Sequence, residues 1–267
     1  RSPDDVKNHS DMEEIKLMKG TEVVAEAAVR CGCDGYFGYP ITPQSEVLET
    51  LMEMRPWETS GMTVIQAESE VAAINMVYGA AAAGARAMTS SSSPGISLKS
   101  EGVSYIAGAD LPAVIINVMR GGPGLGSIQP SQSDYWQATK ALGHGDFQMV
   151  VYAPSTVQEM ADYTYKAFDI ADEYRMPVMI LADGLLGQMM EPVELRDPIE
   201  KLPERPWACT GHNNEREHNV ANSLYLTAED LDRINHERFE RYELIKEREQ
   251  ISEEFLCDDA DIIVVAF

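Results

Sequence analysis

Glu70 opens the stretch with the most chemical promise. It stands in 66–83, QAESEVAAINMVYGAAAA, after a short β-prone run at 62–65 and before small apolar residues at helical spacing, Ala72, Ala73, Val77, Ala80 and Ala81. Ser69 is placed to cap that helix, which puts Glu70 in its first turn, where a negative charge meets the positive end of the helix dipole. A second reading stays open beside that one. Ala and Gly crowding from Ala72 to Ala85 lets another backbone or a flat ligand come close, leaving a carboxylate at the mouth of a tightly packed site.

Three other places carry chemistry by residue type. The loop Ser90-Ser91-Ser92-Ser93-Pro94-Gly95 precedes a helical pattern; it reads as a polar turn with a helix cap, or as a seat for an anion or a polar ring at a helix N-terminus. Arg120 is the one cation in 120–132, RGGPGLGSIQPSQ, directly after the apolar run 111–119. There a guanidinium can clamp a carboxylate through two parallel hydrogen bonds, or form a salt bridge to Asp134 or to a partner. Thr42 can cap the amphipathic segment 46–54 with Pro43 at its first helical position. The glycines at 122, 124 and 126 do not make a dinucleotide fingerprint, because Ser127 breaks the G-x-G-x-x-G spacing.

The elements that must hold these groups alternate. Helical periodicity marks 16–31, 46–54, 70–83, 96–109 and 155–174, the last with a capping box at Ser155 and Gln158. Strand character marks 35–39, 62–65, 85–89, 111–119, 149–152 and 177–182, with a turn at Asp183 and Gly184 and an exit from the domain at 187–192. The expectation is an α/β fold, a parallel sheet flanked by helices. After 194 the composition shifts: 198–206 is a linker and 227–254 a charged helical arm with a solvated face. The apolar run 261–267 reads as a strand that starts a second α/β domain, truncated at the C-terminus. The expected division is a disordered leader at 1–15, the main domain at 16–194, linker and arm at 195–258, and that strand within 259–267.

The 267 residues, 44% hydrophobic and 7% aromatic, suffice for a large core, and no apolar run approaches the roughly 20 residues that span a bilayer. With no apolar h-region near the start, the expected location is cytoplasmic. A formal charge of −23 argues against nucleic-acid binding. Cys31 and Cys33, spaced C-x-C, and the distant Cys209 and Cys257 fit neither a zinc site nor an iron–sulfur cluster; reduced structural thiols are expected.

Three stretches, GYFGYPITPQSEVLE at 35–49, QAESEVAAINMVYGAAAAGARAMTSSSSPGISLKSEG at 66–102 and LPAVIINVMRGGPGLGSIQPSQSDY at 111–135, resemble the α subunits of 2-oxoacid:ferredoxin oxidoreductases, most of all the branched-chain type acting on 3-methyl-2-oxobutanoate. The resemblance runs over 16–194 and implies the pyrimidine domain of a thiamine diphosphate enzyme. It implies that Glu70 is the catalytic glutamate that contacts N1′ of the aminopyrimidine and favours its imino tautomer. Thr42 and Arg120 match positions near the substrate carboxylate, and Ser92, Pro94 and Gly95 would face the cofactor. The diphosphate motif GDG with its paired Asn is missing, since Ala182 precedes Asp183-Gly184, and so is a C-x-x-C-x-x-C cluster site. The family carries Mg²⁺ and a 4Fe-4S cluster on partner subunits. The expected partners are therefore a thiamine- and Mg-binding β subunit, an iron–sulfur subunit, ferredoxin, CoA and the 2-oxoacid, in a hetero-oligomer that dimerises. Within the family 2-oxoglutarate or pyruvate remains an alternative substrate. Outside it, the alternative is a non-catalytic α/β binding or assembly module.

Overall fold

Runs such as AVIINVM, apolar at nearly every position, form strands covered on both faces, and they build a parallel sheet here. The computed structural model describes residues 14–267. In chain order the elements are β1 (Glu14–Lys19), α1 (Gly20–Arg30), β2 (Gly35–Gly38), α2 (Ser45–Met54), α3 (Pro56–Thr59), β3 (Thr63–Gln66), α4 (Glu70–Ala82), β4 (Ala87–Ser91), α5 (Pro94–Gly108) and β5 (Ala113–Met119). There follow β6 (Val150–Tyr152), α6 (Val157–Tyr174), β7 (Pro177–Asp183), α7 (Gly184–Gln188), β8 (Met190–Leu195) and α8 (Ala228–Arg248). Six strands pair in the order β3-β2-β4-β5-β7-β6, all parallel, and β1 pairs antiparallel with β8 as a separate ribbon.

The two faces of the sheet bury different helices. On one side Val23, Val24, Val47, Leu51, Val157, Met160 and Phe168 bring α1, α2 and α6 onto Met88, Val114, Ile116 and Ile180. On the other, Ile74, Val77, Ile96, Val103 and Ile106 bring α4 and α5 onto Phe37, Ile115 and Met179. The α4–α5 contact is close because Gly102 has no side chain: a Cβ there would lie 2.4 Å from Ile74 Cγ2. After β2 the chain moves outward to β3, and α4 then returns it across β2 to β4. The carboxyl ends of β3, β2 and β4 thereby flank a topological switch point, where open α/β sheets place ligands.

Several sequence expectations change. Residues 16–19 are a strand, not the first turn of a helix, because β1 takes its partner from β8, far away in the chain. Glu14 and Ile15 belong to that strand, and the rest of the expected leader, 1–13, lies outside the described residues. Residues 190–195 return as β8 instead of leaving the domain. Helix α6 is capped one residue later than the Ser155-x-x-Gln158 box: Thr156 accepts from the Glu159 amide, and the Glu159 carboxylate takes the Ser155 amide at 2.6 Å. Helix α8 has the expected charged outer face but is no free arm, since Tyr242 and Ile245 enter the core and Arg238 and Arg241 both reach Asp110, at 3.2 and 2.5 Å. Residues 261–267 pair with no strand among the described residues.

A buried ion pair ties the layers. Arg86 donates to Asp172 at 2.8 Å, to Asp169 at 3.0 Å and to the Cys31 carbonyl at 2.7 Å, and Arg205 from the linker shares Asp172 at 2.7 Å. Arg86→Ala is expected to lower the unfolding free energy by about 3–5 kcal/mol, read from the urea midpoint, because Asp172 then loses half its counter-charge. Burial pushes the Cys31 thiol up to about 12. A thiol reagent at neutral pH should therefore modify exposed Cys209 and leave Cys31 and Cys33 intact until the protein unfolds, as mass mapping will show.

Candidate active site

Helix α4 starts where the sequence places it, with Ser69 Oγ accepting from the Ala72 amide at 3.1 Å. Glu70, its first residue, is 7% exposed, and its carboxylate has no hydrogen-bond or ion-pair partner among the described residues. What faces it is backbone. Gly95, at the start of α5, lies so close that a Cβ on it would stand 3.1 Å from Glu70 Oε1 and 2.0 Å from Ser91 Oγ. The hydroxyls of Thr89, Ser91 and Ser92 are buried there with no partner, and Pro94 sits at the first helical position of α5. Glu70, Ser92, Pro94 and Gly95, named separately from the sequence, thus share the carboxyl edge at β3 and β4.

The four serines divide their work. Ser91 ends β4, so the strand runs two residues further than expected. Ser90 Oγ bonds Gln44 Oε1 and pairs with the Tyr36 hydroxyl at 2.7 Å, and Gln44 Nε2 donates to the Tyr39 carbonyl at 3.0 Å, which fixes the loop carrying Thr42. Ser93 is held at φ 24°, a conformation that side chains rarely adopt, by a buried polar network. Its amide donates to Asn117 Oδ1 at 3.1 Å, its Oγ bonds Asp134 and accepts from the Arg120 amide at 3.0 Å, and Asn117 Nδ2 donates to Asp134 at 3.0 Å. Ser90 and Ser93 are therefore braces, and the unpartnered hydroxyls are those of Ser91 and Ser92.

Arg120 directly follows β5, bridges to Pro130 and is 6% exposed. Its guanidinium donates to the Thr42 carbonyl at 3.1 Å and to the Leu125 carbonyl at 2.8 Å, while Nε is buried with no partner. The expected alternative of an Arg120–Asp134 bridge does not form, because Asp134 is taken by Ser93 and Asn117. The Gly-rich loop can present Leu125 because it folds back on itself. Ser127 donates to the Gly121 carbonyl at 2.7 Å, and at Gly126, φ +65°, a Cβ would overlap that same oxygen. Thr42 does not cap α2. That helix begins at Ser45, with Gln44 at the cap position, and the exposed Thr42 side chain makes no hydrogen bond. Thr42 and Arg120 are still brought together, and Ser93 links them to the Glu70 end.

One charged residue went unnoticed in the sequence. Lys99 lies one turn beyond Gly95, is 0% exposed, and its ammonium has no hydrogen-bond partner. Burial pulls its pKa down to about 8, against the charge of Glu70, which raises it. The signal was available: Lys99 falls on the buried stripe Ile96, Val103, Ile106 of α5, where a cation has no structural reason to be.

Residues 26–253 match a family described as pyruvate flavodoxin/ferredoxin oxidoreductase, thiamine diphosphate-binding. The chain is 51% identical over 253 residues to a ketoisovalerate oxidoreductase subunit, VorB, of Methanothermobacter thermautotrophicus, covering 94% of this chain and 71% of that one. It is 40% identical over 190 residues to a 2-oxoglutarate synthase subunit, KorA, of the same organism, covering 71% and 50%. A solved structure of 2-oxoglutarate:ferredoxin oxidoreductase from Magnetococcus marinus, with 2-oxoglutarate, coenzyme A and succinyl-CoA bound, superposes with a TM-score of 0.78 at 25% identity. That match covers 88% of this chain and 46% of the other, so the chain spans about half the length of its structural neighbour.

The bare Cα of Gly95 can be tested on stability alone. Gly95→Ala should cost about 1–3 kcal/mol through overpacking, and Ser91→Gly in the same chain should recover most of it, since Ser91 Oγ is the nearest atom to the added methyl. Thermal melts of the two variants decide this.

Proposed function

The chain belongs to the thiamine diphosphate-binding family of pyruvate flavodoxin/ferredoxin oxidoreductases, and on that premise we propose that it is the α subunit of a branched-chain 2-oxoacid:ferredoxin oxidoreductase. The reaction would take a 2-oxoacid such as 3-methyl-2-oxobutanoate, CoA and oxidised ferredoxin to acyl-CoA, carbon dioxide and reduced ferredoxin. Higher identity to the ketoisovalerate type, 51% against 40% to the 2-oxoglutarate type, supports the choice of substrate.

The observation that carries the reading is the buried, unpartnered Glu70 carboxylate facing a glycine. A polar ring laid against Gly95 would meet an acceptor able to hold a proton at a ring nitrogen, with the unpartnered hydroxyls of Ser91 and Ser92 buried nearby. Those features fit an aminopyrimidine. When bound, thiamine diphosphate supplies the electron sink for loss of carbon dioxide. The chain's own part is placement. Glu70 holds the proton at N1′, Ser92, Pro94 and Gly95 form the bed of the ring, and Thr42 with Arg120 receives the substrate carboxylate. Arg120 already uses two donors on the carbonyls of Thr42 and Leu125, so its role is to hold both loops at the carboxylate, with Nε left unpartnered.

The remaining machinery belongs to other chains in this reading. The sequence has neither a GDG motif with paired Asn for Mg²⁺ and diphosphate nor a C-x-x-C-x-x-C cluster site, and its relatives are named as subunits. The partners are thus a thiamine- and Mg²⁺-binding β subunit and a subunit carrying a 4Fe-4S cluster, in a hetero-oligomer that reduces ferredoxin. No helix among the described residues is long and apolar enough to cross a membrane, and the reading places the complex in the cytoplasm.

Viologen reduction by the assembled complex tests this. Turnover should be best with 3-methyl-2-oxobutanoate, and Glu70→Gln should lower kcat by roughly 10²–10⁴-fold with assembly intact. A preference for 2-oxoglutarate or pyruvate would move the substrate within the family. Wild-type activity in Glu70→Gln would return the chain to a non-catalytic module.

A further inference from the structure

Lys99 has no place in the function just described. A fully buried ammonium with no hydrogen bond is costly, and nothing in the packing of α5 calls for it: its neighbours along the stripe are Ile96, Gly102, Val103 and Ile106, all uncharged. Of the titratable groups on the segments against α5, Asp134 is engaged by Ser93 and Asn117, and His144 lies against Ser104 at the far end of the helix. Glu70, across the α4–α5 contact from Gly95, is the one charge among the described residues that acts on Lys99, and the two form no direct ion pair. The Lys99 ammonium is sealed from solvent without a hydrogen bond, and the carboxylate of the buried Glu70 side chain likewise makes none.

We propose that Lys99 is a positioning residue of the cofactor site, whose buried ammonium, one turn along α5 from Gly95, is the counter-charge that holds the Glu70 carboxylate aimed at the face of Gly95. The inference rests on the thiamine reading. A cation behind Glu70 favours the form in which the proton shared with the ring nitrogen stays on the ring, and no hydrogen bond from Lys99 competes for the carboxylate. The residue acts through Glu70 and touches neither substrate nor cofactor.

Calorimetric binding of thiamine diphosphate to the cofactor-stripped complex tests it without turnover. Wild-type affinity should hold below the Lys99 pKa of about 8 and fall by about tenfold above it, as the ammonium loses its proton. Lys99→Met should bind about tenfold more weakly at neutral pH and lose that alkaline limb. In a Glu70→Gln background, Lys99→Met should change affinity by no more than about twofold. An equal loss in both backgrounds, an alkaline limb that persists in Lys99→Met, or wild-type affinity in that variant would each overturn the proposal. If the wild-type complex binds no thiamine diphosphate at any pH, the thiamine reading itself fails. The wild-type profile needs no variant, so poor folding of Lys99→Met leaves that arm decisive.

Discussion

A carboxylate can sit buried and unpartnered at the head of α4 only because the neighbouring helix brings no side chain against it. Gly95 is that concession: with any Cβ there, Ser91 and Glu70 would have to move. The helix dipole offsets part of the desolvation, by a few tenths to about 2 kcal/mol, and leaves both carboxylate oxygens free for a ligand. The sheet order produces this meeting. Glu70 follows β3 and Gly95 follows β4, and both strands border β2, so the heads of α4 and α5 converge over one edge.

Around that contact the structure spends polar groups on rigidity. Ser90, Tyr36 and Gln44 lock the loop of Thr42, while Ser93, Asn117 and Asp134 lock the head of α5 to the end of β5. Arg120 joins the two loops by their carbonyls. A site held this way has little left to order when a ligand arrives, which lowers the entropic cost of binding. The groups left without partners, Glu70, Ser91, Ser92 and Arg120 Nε, lie along this same edge.

What the sequence revealed was local. The Ser69 cap, the position of Glu70 in a first turn, the buried strand at 111–119 and the loop after it all follow from spacing within a dozen residues, and the structure has each of them. What it hid depends on distant partners. Residues 16–19 become a strand only through 190–195, and α8 docks only because Asp110 waits for Arg238 and Arg241. Thr42 loses its expected capping role because Gln44 takes the cap position while its side chain bonds the loop behind it. Two of four adjacent serines turn out to be braces, which residue type alone cannot distinguish. Periodicity could not assign a reaction; the long motifs that resemble a family did that, and although the one at 66–102 contains Lys99, the resemblance gave that residue no role.

The most direct test is the distance from Glu70 to the cofactor in a structure of the assembled complex with thiamine diphosphate bound. The account predicts a Glu70 carboxylate oxygen within hydrogen-bond reach of N1′, about 2.6–3.0 Å, with the ring stacked over Gly95. A ring bound elsewhere, or Glu70 turned away into a protein hydrogen bond with its oxygens beyond about 3.5 Å, would contradict it.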